Sequence, residues 1–404
     1  MWMGVLVARY GILTCGLLGI AGSHGAAFAQ TVPLNYSVNL DLLYDSNIAR
    51  VSEEAAAARG IEREDLRITP ALSITLNLPR GRHTASANAN LGYDFYLRNP
   101  RLDRERLSAT AGLNSDWGRC DTSVNAGFER RQTEFEDIVA GPLDNTMTKW
   151  SASAGLSCPR PAGFYPGVRA SIESARNDRE ARQDADYDYD RVEGFLAYAR
   201  PSLGEAVVFA SRGSINFPER EIDVGGLPVQ DEVQTTEVGG RFSRELGSLV
   251  RGSVQVSYTW VDRSNPIIED FNGLTLAATL RIRPEGRLRG TLFAERAVRP
   301  TSRVGVSYSV AETYRADLQY DLTSSTVLTS GTSLRRREFV FAGPNFAGSP
   351  STEDIVSAFA SVRTNIRSRI FLGVEVLWER RDADLSLFDY TSVRFGITSK
   401  WLFG

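Results

Sequence analysis

The sequence predicts an all-β protein: a single transmembrane antiparallel up-and-down β-barrel of about 18 strands (16–18), with short periplasmic turns and longer extracellular loops. Three observations support this fold class. Apolar and polar side chains alternate in short segments along the chain, most clearly in Leu66–Leu78. The connections between the segments are alternately short and long, and aromatic residues cluster near the segment ends. Because alternate side chains of a strand point to opposite faces, each segment fits a wall between lipid and water.

The first 29 residues predict a cleavable signal peptide. Arg9 precedes an apolar stretch at Ile12–Ile20, and the small residues Ala27 and Ala29 precede the expected cut before Gln30. The predicted organisation is a signal peptide at residues 1–29 and one outer-membrane β-barrel at residues 30–404. After the leader, no apolar run has the length of a membrane-spanning helix.

The connections predict the two sides of the barrel. Short turns such as Pro79–Gly81 and Pro284–Gly286 carry glycine and proline at the bend, whereas long polar connections such as Asp45–Asp65 and Pro218–Val233 alternate with them. An even number of strands leaves both ends of the barrel on the periplasmic side. In the first long connection, Ser52–Arg63 is expected to form a short helix or to fold inward as a constriction.

The composition is compatible with a barrel because only half of each strand needs to be apolar. The mean hydropathy is -0.22 and 24% of residues are charged. The net charge of -3 gives no indication of a nucleic-acid partner. Of the 46 basic residues only Lys149 and Lys400 are lysines. This bias fits genomic base composition, and it also fits arginines that bind anions on lumen walls and on lipopolysaccharide.

Two cysteines follow the leader. Cys120 and Cys158 both fall at predicted short turns, next to Trp117–Arg119 and Pro159–Pro161. A strand pair between them returns the chain to the same side of the membrane, and exported proteins fold in an oxidising compartment. We therefore predict a disulfide bond between neighbouring periplasmic turns.

The polar face of the strands is predicted to line the lumen. Both signs of charge occur there, which predicts a wettable wall without strong selection for one sign of ion, and the neutral polar residues also suit a sugar chain. The charged lumen candidates are Arg67, Asp94, Arg106, Glu129, Arg169, Glu173, Arg191, Arg212, Arg241, Arg281, Arg283, Arg289, Arg315, Asp317, Arg363, Arg367, Glu375 and Arg394.

Nothing in the sequence predicts catalysis, a cofactor or a metal centre. His83 is the single histidine after the leader, and it lies beside a predicted periplasmic turn, far from a plausible catalytic position. The aspartates of Asp184–Asp190 alternate with other residues and could offer oxygen ligands to calcium, but a solvated acidic loop edge is the favoured interpretation. We therefore expect a protein that is not an enzyme.

The segment Tyr44-Asp45-Ser46-Asn47-Ile48-Ala49-Arg50 resembles the signature of a family of outer-membrane β-barrel porins, the β-barrel porin 2 family. The resemblance implies a location in the outer membrane of a Gram-negative bacterium. Several relatives are linked to exopolysaccharide or capsule export. Within the motif, Asp45, Asn47 and Arg50 are expected to organise the first loop, because such side chains bond readily to nearby backbone.

Three functions remain open at this point. The first is an outer-membrane channel for polysaccharide export, the second is a general or solute-specific diffusion porin, and the third is a structural or adhesive barrel with a closed lumen. The expected partners are outer-membrane lipid, lipopolysaccharide and the barrel-assembly machinery. Export would add periplasmic and inner-membrane polysaccharide synthesis and export proteins.

Overall fold

The computed structural model describes residues 34–133, 144–224, 226–247, 249–264, 270–283, 286–301, 303–342 and 350–403. The predicted signal peptide lies outside these residues. The described chain forms 18 antiparallel strands. They are β1 Leu34–Asp45, β2 Asp65–Arg80, β3 His83–Tyr96, β4 Arg104–Asp116, β5 Asp121–Gln132, β6 Thr146–Ser157, β7 Gly163–Asn177, β8 Tyr187–Arg200, β9 Gly204–Val224, β10 Leu227–Leu246, β11 Val250–Arg263, β12 Asn272–Ile282, β13 Leu288–Arg299, β14 Val306–Asp321, β15 Thr326–Phe341, β16 Thr352–Arg367, β17 Ile370–Ala383 and β18 Tyr390–Phe403.

The sheet closes into a barrel. Each strand pairs with its neighbours in the chain, and β1 also pairs with β18 from Tyr36 opposite Phe403 to Asp45 opposite Arg394. Closure leaves no free sheet edge, which is the condition for a sheet to stand in lipid. The predicted barrel and its number of strands are confirmed.

One face of the wall is apolar around the barrel. Val38 on β1 lies opposite Leu72 on β2 and opposite Trp401 on β18. Cross-strand partners share a face, so the register carries this apolar surface from strand to strand. Large apolar side chains on it remain exposed, for example Val208 at 63% and Ile172 at 60%. This outer face meets lipid, and the opposite face lines the lumen.

Tight turns join the strands on one side. Gly81 and Arg82 alone connect β2 to β3, and Gly81 has a φ of 61°, a left-handed conformation that glycine adopts without steric cost. The longer connections lie on the other side, which we call the mouth. Their alternation agrees with the predicted arrangement of turns and loops.

The sequence predicts a long loop at Pro218–Val233, but the structure differs from this prediction. This connection is mostly a hairpin that extends β9 and β10, and the register of the two strands shifts between Gln230 and Glu232. Prolines and charged residues hid the strand pattern in the sequence. Above the lipid, a hairpin needs no apolar outer face, so the two-residue alternation that marks the other strands is lost there.

The predicted disulfide bond is confirmed between Cys120 and Cys158. Cys120 precedes β5 and Cys158 follows β6, so the bond joins two adjacent turns on the side opposite the mouth. It links positions 38 residues apart in the chain.

A short helix, α1 (Glu53–Ala58), lies in the connection between β1 and β2, where the sequence predicted one. The Ser52 side chain caps it by accepting a hydrogen bond from the Ala55 backbone N–H at 3.3 Å. Two glutamates in the first turn favour the positive end of the helix, and alanines follow them. No helix in the described ranges is long and apolar enough to cross a membrane.

Candidate functional site

The candidate functional site is the inner wall of the barrel together with the loops at its mouth. The inner face carries the sequence-predicted residues Arg67, Asp94, Arg106, Glu129, Arg169, Glu173, Arg191, Arg241, Arg281, Arg289, Arg315, Asp317, Arg363, Glu375 and Arg394, which alternate along their strands with the lipid-facing side chains. Arg283 follows the end of β12, and Arg367 ends β16 after a shift in register, so both lie at the rim opposite the mouth.

The sequence predicts that Arg212 lines the lumen, but the structure places this residue on the outer face. It lies opposite Val192 on β8 and Thr236 on β10, in the outward-facing rows of those strands. In this part of β9 the apolar residues Ile215 and Phe217 face inward and are buried in a cluster with Val233 and Val261. The rule that apolar residues face lipid therefore reverses near the mouth, where the inner face packs against loops.

Charged groups on the inner wall of β7–β10 compensate one another. The Glu193 carboxylate lies 3.0 Å from Arg169, 3.6 Å from Arg241 and 3.7 Å from Arg191. Arg191 also pairs with Glu237 at 2.6 Å. Arg169 and Arg241 lie over the aromatic rings of Phe195 and Phe209 at 4.7 Å and 5.2 Å. Three guanidinium groups and two carboxylates thus compensate most of one another's charge, so this wall presents only a small net field to a passing ion.

Ion pairs also compensate charges elsewhere on the inner wall. Lys149 lies 3.0 Å from Glu173, Arg315 lies 2.7 Å from Asp317, and Arg394 lies 2.8 Å from Glu379. Within the described residues, Arg281, Arg363 and Glu375 form no ion pair within 4 Å. These three are among the inner-wall charges that can act directly on a solute.

Much of the inner wall of β3–β7 is built from small neutral polar residues, although Asp94, Arg106, Glu129, Arg169 and Glu173 also face inward on these strands. A cavity of about 350 Å³ lies against it, and its lining includes Ser86, Thr110, Asn125, Ser151, Ser153 and Ser171 together with alanines, glycines, Ile172, Tyr189 and the single charged residue Glu173, which pairs with Lys149. Hydroxyl and amide groups both donate and accept hydrogen bonds. This part of the wall can therefore replace the hydration of a polar solute without attracting either sign of charge.

A second cavity of about 430 Å³ lies against β6–β13. Hydroxyl groups line part of it: Thr275 is 3.0 Å from Ser257 and 2.9 Å from Thr259, and Ser257 donates to the Glu237 carboxylate. Tyr187, also on the inner face, donates to Glu173 at 2.6 Å. The cavity is polar, and its carboxylates are bonded within the wall.

The motif Tyr44–Arg50 organises the first loop, L1 (residues 46–64). Asp45 accepts hydrogen bonds from the Asn47 backbone N–H at 2.9 Å and from the Arg50 guanidinium at 2.5 Å. Arg50 also donates to the Asn47 carbonyl at 2.5 Å, and Asn47 donates to the Val51 carbonyl at 3.0 Å. Arg50 has a φ of 52°, so these bonds hold a left-handed residue that turns the chain back over the mouth.

Burial and charge act in opposite directions on the pKa of Arg50. Burial lowers it, but the carboxylates of Asp45 and Glu379 raise it more, so the net pKa lies above the usual range of an arginine. The guanidinium is therefore a permanent cation at the base of L1. It ties L1 to β1 and, at 3.9 Å, to Glu379 on the inner face of β17.

Three loops meet over one side of the mouth. They are L1, L2 (residues 97–103) and L9 (residues 384–389), and their apolar residues Ile48, Val51, Leu102 and Phe388 pack with α1 in one buried cluster. Arg101 in L2 donates to the carbonyls of Arg59 and Gly60 in L1 at 2.6 and 2.7 Å. This packing makes the first loop a fixed part of the entrance.

A second group of loops crosses the opposite side of the mouth. The described residues 300, 301 and 303–308, which we call the crossing segment, include the start of β14 and reach the inner face near β9 and β10. Arg220 holds this segment by donating to the Val306 carbonyl at 3.0 Å, while its other bonds reach the Asp184 carbonyl at 2.8 Å and Asp231 at 3.0 Å. Ser307 donates to the same Asp231 at 2.9 Å. One arginine thus joins three connections across the mouth.

The crossing segment is anchored at its other end on Glu353. Arg303 lies 3.0 Å from this carboxylate, which also contacts Arg337 on β15 and Arg381 on β17. Arg303 lies over the Phe339 ring at 3.7 Å. Both Glu353 and Arg303 are fully buried. No motif in the sequence indicated Arg220, Arg303, Glu353 or Arg381, because their partners are distant in the chain.

Comparisons with known proteins agree with this architecture. A family model described as "Putative beta-barrel porin 2" matches residues 230–401, which run from β10 to β18. The motif at Tyr44–Arg50 lies outside that match. No curated protein matches the chain.

Solved structures with a similar fold come from three bacteria. OccK2 (OpdF) of Pseudomonas aeruginosa, solved with glucuronate, shares 10% identity at a TM-score of 0.48 and covers 92% of this chain and 98% of its own. A BenF-like porin from Pseudomonas fluorescens Pf-5 shares 9% identity at a TM-score of 0.49, and the match covers 92% of this chain and 99% of that porin. OccAB3 of Acinetobacter baumannii shares 8% identity at a TM-score of 0.46, and the match covers 92% of this chain and 100% of OccAB3.

Proposed function

We propose that this outer-membrane β-barrel, whose residues 230–401 match the model of the β-barrel porin 2 family, is a passive diffusion channel for small polar solutes with weak charge selectivity. An 18-stranded barrel is wide enough for an aqueous path unless loops fill it. The diffusion alternative is thus favoured over polysaccharide export, the first expectation from the sequence, which gains no support from the comparisons.

The observation that carries the proposal is the composition of the inner wall. One sector, β3–β7, presents mainly neutral hydroxyl and amide groups around a cavity of about 350 Å³, whose one charged residue, Glu173, is paired with Lys149. The next sector, β7–β10, presents arginines and glutamates in close pairs. A wall that is wet and electrically balanced lets polar solutes pass without binding them tightly, which is the requirement for diffusion.

The loops at the mouth set the size of the solutes. L1, L2 and L9 pack together on one side, and the crossing segment spans the other. Both groups narrow an entrance that the barrel alone would leave wide. We therefore expect solutes of the size of small metabolites rather than extended polymers.

Single-channel recording in planar bilayers tests the proposal. Purified protein should give discrete conductance steps, with cation and anion permeabilities that differ by less than about threefold, because balanced wall charges favour neither sign. A preparation that inserts without conducting would contradict diffusion and support the structural barrel with a closed lumen.

Charge-reversal variants test the assignment of the wall. Arg363→Glu changes an inner-wall charge that has no ion-pair partner, so the reversal potential should shift toward cation selectivity. Arg212→Glu is the matched control, because the same change on the outer face should leave the reversal potential unchanged. Equal shifts in both variants would contradict the assigned faces.

A further inference from the structure

The outer rim of the barrel at the end opposite the mouth, which we call the turn end, carries exposed arginines. Arg80 closes β2, Arg200 closes β8, and Arg244 lies two residues before the end of β10. Alternate side chains of a strand share a face, so each of the three points outward like the lipid-facing residue two positions before it. Those preceding residues are Leu78, Tyr198 and Phe242. We refer to Arg80, Arg200 and Arg244 as the collar.

The acidic side chains of the turn end lie on the inner face instead. Each alternates along its strand with outward-facing side chains. Glu245 lies 3.3 Å from Arg251, and Asp321 pairs with Arg289. Among the described residues these acids are Asp116, Asp121, Glu205, Glu245 and Asp321. None of them shares the outer face with the collar.

The collar has no counter-ion among the described residues. Its three arginines form no ion pair within 4 Å there, and the guanidinium of Arg244 donates to the Ser202 carbonyl at 3.3 Å. The neighbouring turns add positive charge. Their sequences contain one acidic residue, Glu285, which lies outside the described residues, and the arginines Arg82, Arg119, Arg160, Arg283, Arg287 and Arg369.

Outward-facing arginines near the mouth are arranged differently. Arg130 lies 2.7 Å from Glu105, and Arg336 lies 2.8 Å from Asp354, each pair on neighbouring strands of the outer face. These arginines meet a carboxylate of the chain itself. The collar, in contrast, leaves its positive charge to a partner outside the chain.

Aromatic rings mark the level of the membrane interface at the turn end. The ring centroids of Phe164 and Tyr198 lie 4.8 Å apart, and those of Tyr36 and Phe403 lie 5.6 Å apart. Such aromatic belts lie at the level of the lipid headgroups. Arg200 follows Tyr198 by two residues, which is about 7 Å along a strand. The collar therefore lies at the level of the headgroup phosphates.

We propose that the collar binds the phosphate groups of anionic phospholipids in the periplasmic leaflet of the outer membrane. Short turns of bacterial barrels face the periplasm, so the turn end meets that leaflet. The planar guanidinium group matches two phosphate oxygens at once, and an arginine close to an anionic lipid surface is attracted to it. The inference goes beyond diffusion because the collar lies outside the lumen, and it selects one class among the lipids around the barrel.

Binding at the collar fixes the depth of the barrel in the membrane. Movement toward the periplasm pulls the guanidinium groups away from the phosphates, and movement the other way draws them into hydrocarbon, where a charge is costly. The ion pairs on the outer face near the mouth offer no comparable attraction, because each arginine there already has its counter-ion. Anionic phospholipid is therefore concentrated around one end of the barrel.

Quenching of tryptophan fluorescence by brominated phospholipids tests the proposal. Trp150→Phe, Trp260→Phe and Trp378→Phe leave Trp117 and Trp401, both near the turn end, as the only tryptophans after residue 29. This reporter protein is placed in phosphatidylcholine vesicles that contain an equal fraction of brominated phosphatidylglycerol or brominated phosphatidylcholine. At about 0.05 M salt, phosphatidylglycerol should quench with an apparent affinity at least about threefold higher.

The salt dependence identifies the cause of that preference. At about 1 M salt the preference should vanish, because exposed charges are then screened within about 3 Å. The net charge of the whole chain is -3, so a preference for the anionic lipid cannot arise from the overall charge of the protein. Equal quenching by the two lipids at low salt would overturn the proposal, and so would a preference that high salt leaves unchanged.

The collar variant of the reporter protein combines Arg80→Gln, Arg200→Gln and Arg244→Gln. It removes the three outward charges of the turn end, so the affinities for the two lipids should become equal within error. All three side chains are exposed, and none takes part in an ion pair among the described residues, so the barrel should fold as before. An unchanged preference for phosphatidylglycerol would contradict the assignment of the collar.

The control variant combines Arg212→Gln, Arg336→Gln and Arg380→Gln. These arginines point outward near the mouth, where Arg336 lies opposite Asp354 and Arg380 lies opposite Val356. The control removes the same number of positive charges from the same face at the other end of the barrel, and it should keep the preference for phosphatidylglycerol. The same loss in the collar and control variants would show that charge in general, rather than the collar, attracts the lipid.

The outcome is separable from the proposed diffusion, because quenching is measured without current. A channel that conducts but shows no lipid preference overturns the collar and leaves diffusion standing. A barrel that prefers anionic phospholipid but never conducts supports the collar and contradicts diffusion.

Discussion

At the residue scale, the polar side chains buried at the mouth decide how the loops fold. Asp45 collects bonds from Asn47, Arg50 and Ser392, so one carboxylate joins L1 to β1 and to β18. The charge is buried with its partner, and removing one member of such a pair leaves the other uncompensated. These residues matter for stability even though they touch no solute.

Asp45→Ala is therefore expected to destabilise the barrel by about 3 kcal/mol or more, since Arg50 remains buried without its closest anion. Urea unfolding of the refolded protein in detergent measures the free energy. Asp41→Ala is the control, because Asp41 lies four residues before Asp45 on the same face of β1. Asp41 forms no ion pair among the described residues. Equal losses in the two variants would contradict the role assigned to Asp45.

Because of Asp186, the stability of the fold at the mouth is expected to depend on pH. Asp186 lies in L4 (residues 178–186), where burial raises its pKa although Asn177 donates two hydrogen bonds to it at 2.7 Å. An acid whose pKa is raised by folding stabilises the fold fully below its ordinary pKa and loses this contribution as the pH rises through the raised value.

Hydrogen exchange of the amides in L4 should therefore accelerate as the pH rises through this range, after correction for the intrinsic rate. Asp186→Asn keeps the accepting oxygen and removes the ionisation, so its L4 amides should show no such step. A step that persists in the variant would assign the pH dependence to another group.

At the scale of elements, the strands that cross lipid and the strands that rise above it obey different rules. In the lipid, β1 and β2 place Val38 and Leu72 outward and polar residues inward. Above it, β9 turns Ile215 and Phe217 inward to pack with Val233, and leaves Arg212 outside. The change follows from what each face meets, lipid below and folded loops above.

A variant of Arg220 tests how the elements at the mouth are held together, because this residue joins L4, the hairpin of β9 and β10, and the crossing segment. Arg220→Gln should free the crossing segment, which should raise single-channel conductance and current noise. The control is Arg212→Gln on the outer face of the same strand. Unchanged conductance and noise in Arg220→Gln would show that the crossing segment does not limit the path.

At the scale of the whole molecule, closure and the disulfide bond act together. Closure pairs every strand edge in the lipid, and the bond between Cys120 and Cys158 fixes two adjacent turns. A cross-link stabilises chiefly by restricting the unfolded chain. It should therefore affect folding stability without affecting the path through the barrel.

The double variant Cys120→Ser, Cys158→Ser is expected to lose about 2–4 kcal/mol of unfolding free energy, with the single-channel conductance unchanged. Wild-type protein under reducing conditions should behave in the same way, which controls for the substitutions. A change in conductance would indicate that the bond also shapes the lumen.

The sequence by itself determined the class of fold, the number of strands, the sides of the turns and the disulfide pairing. Each of these depends on patterns local in the chain: alternation along Leu66–Leu78, glycine at the turns, and two cysteines at neighbouring bends. In lipid, strand alternation has one physical solution, because every outward side chain must be apolar and every backbone group must be paired.

Only the tertiary structure decided how the mouth is built. Glu353 meets Arg303 from 50 positions earlier in the chain and Arg381 from 28 later, and Arg220 meets the Val306 carbonyl 86 positions away. Nothing periodic marks such residues, because loops above the lipid are free of the solvent constraint that imposes alternation on strands. Their positions follow from closure of the barrel, which brings distant connections together over one opening.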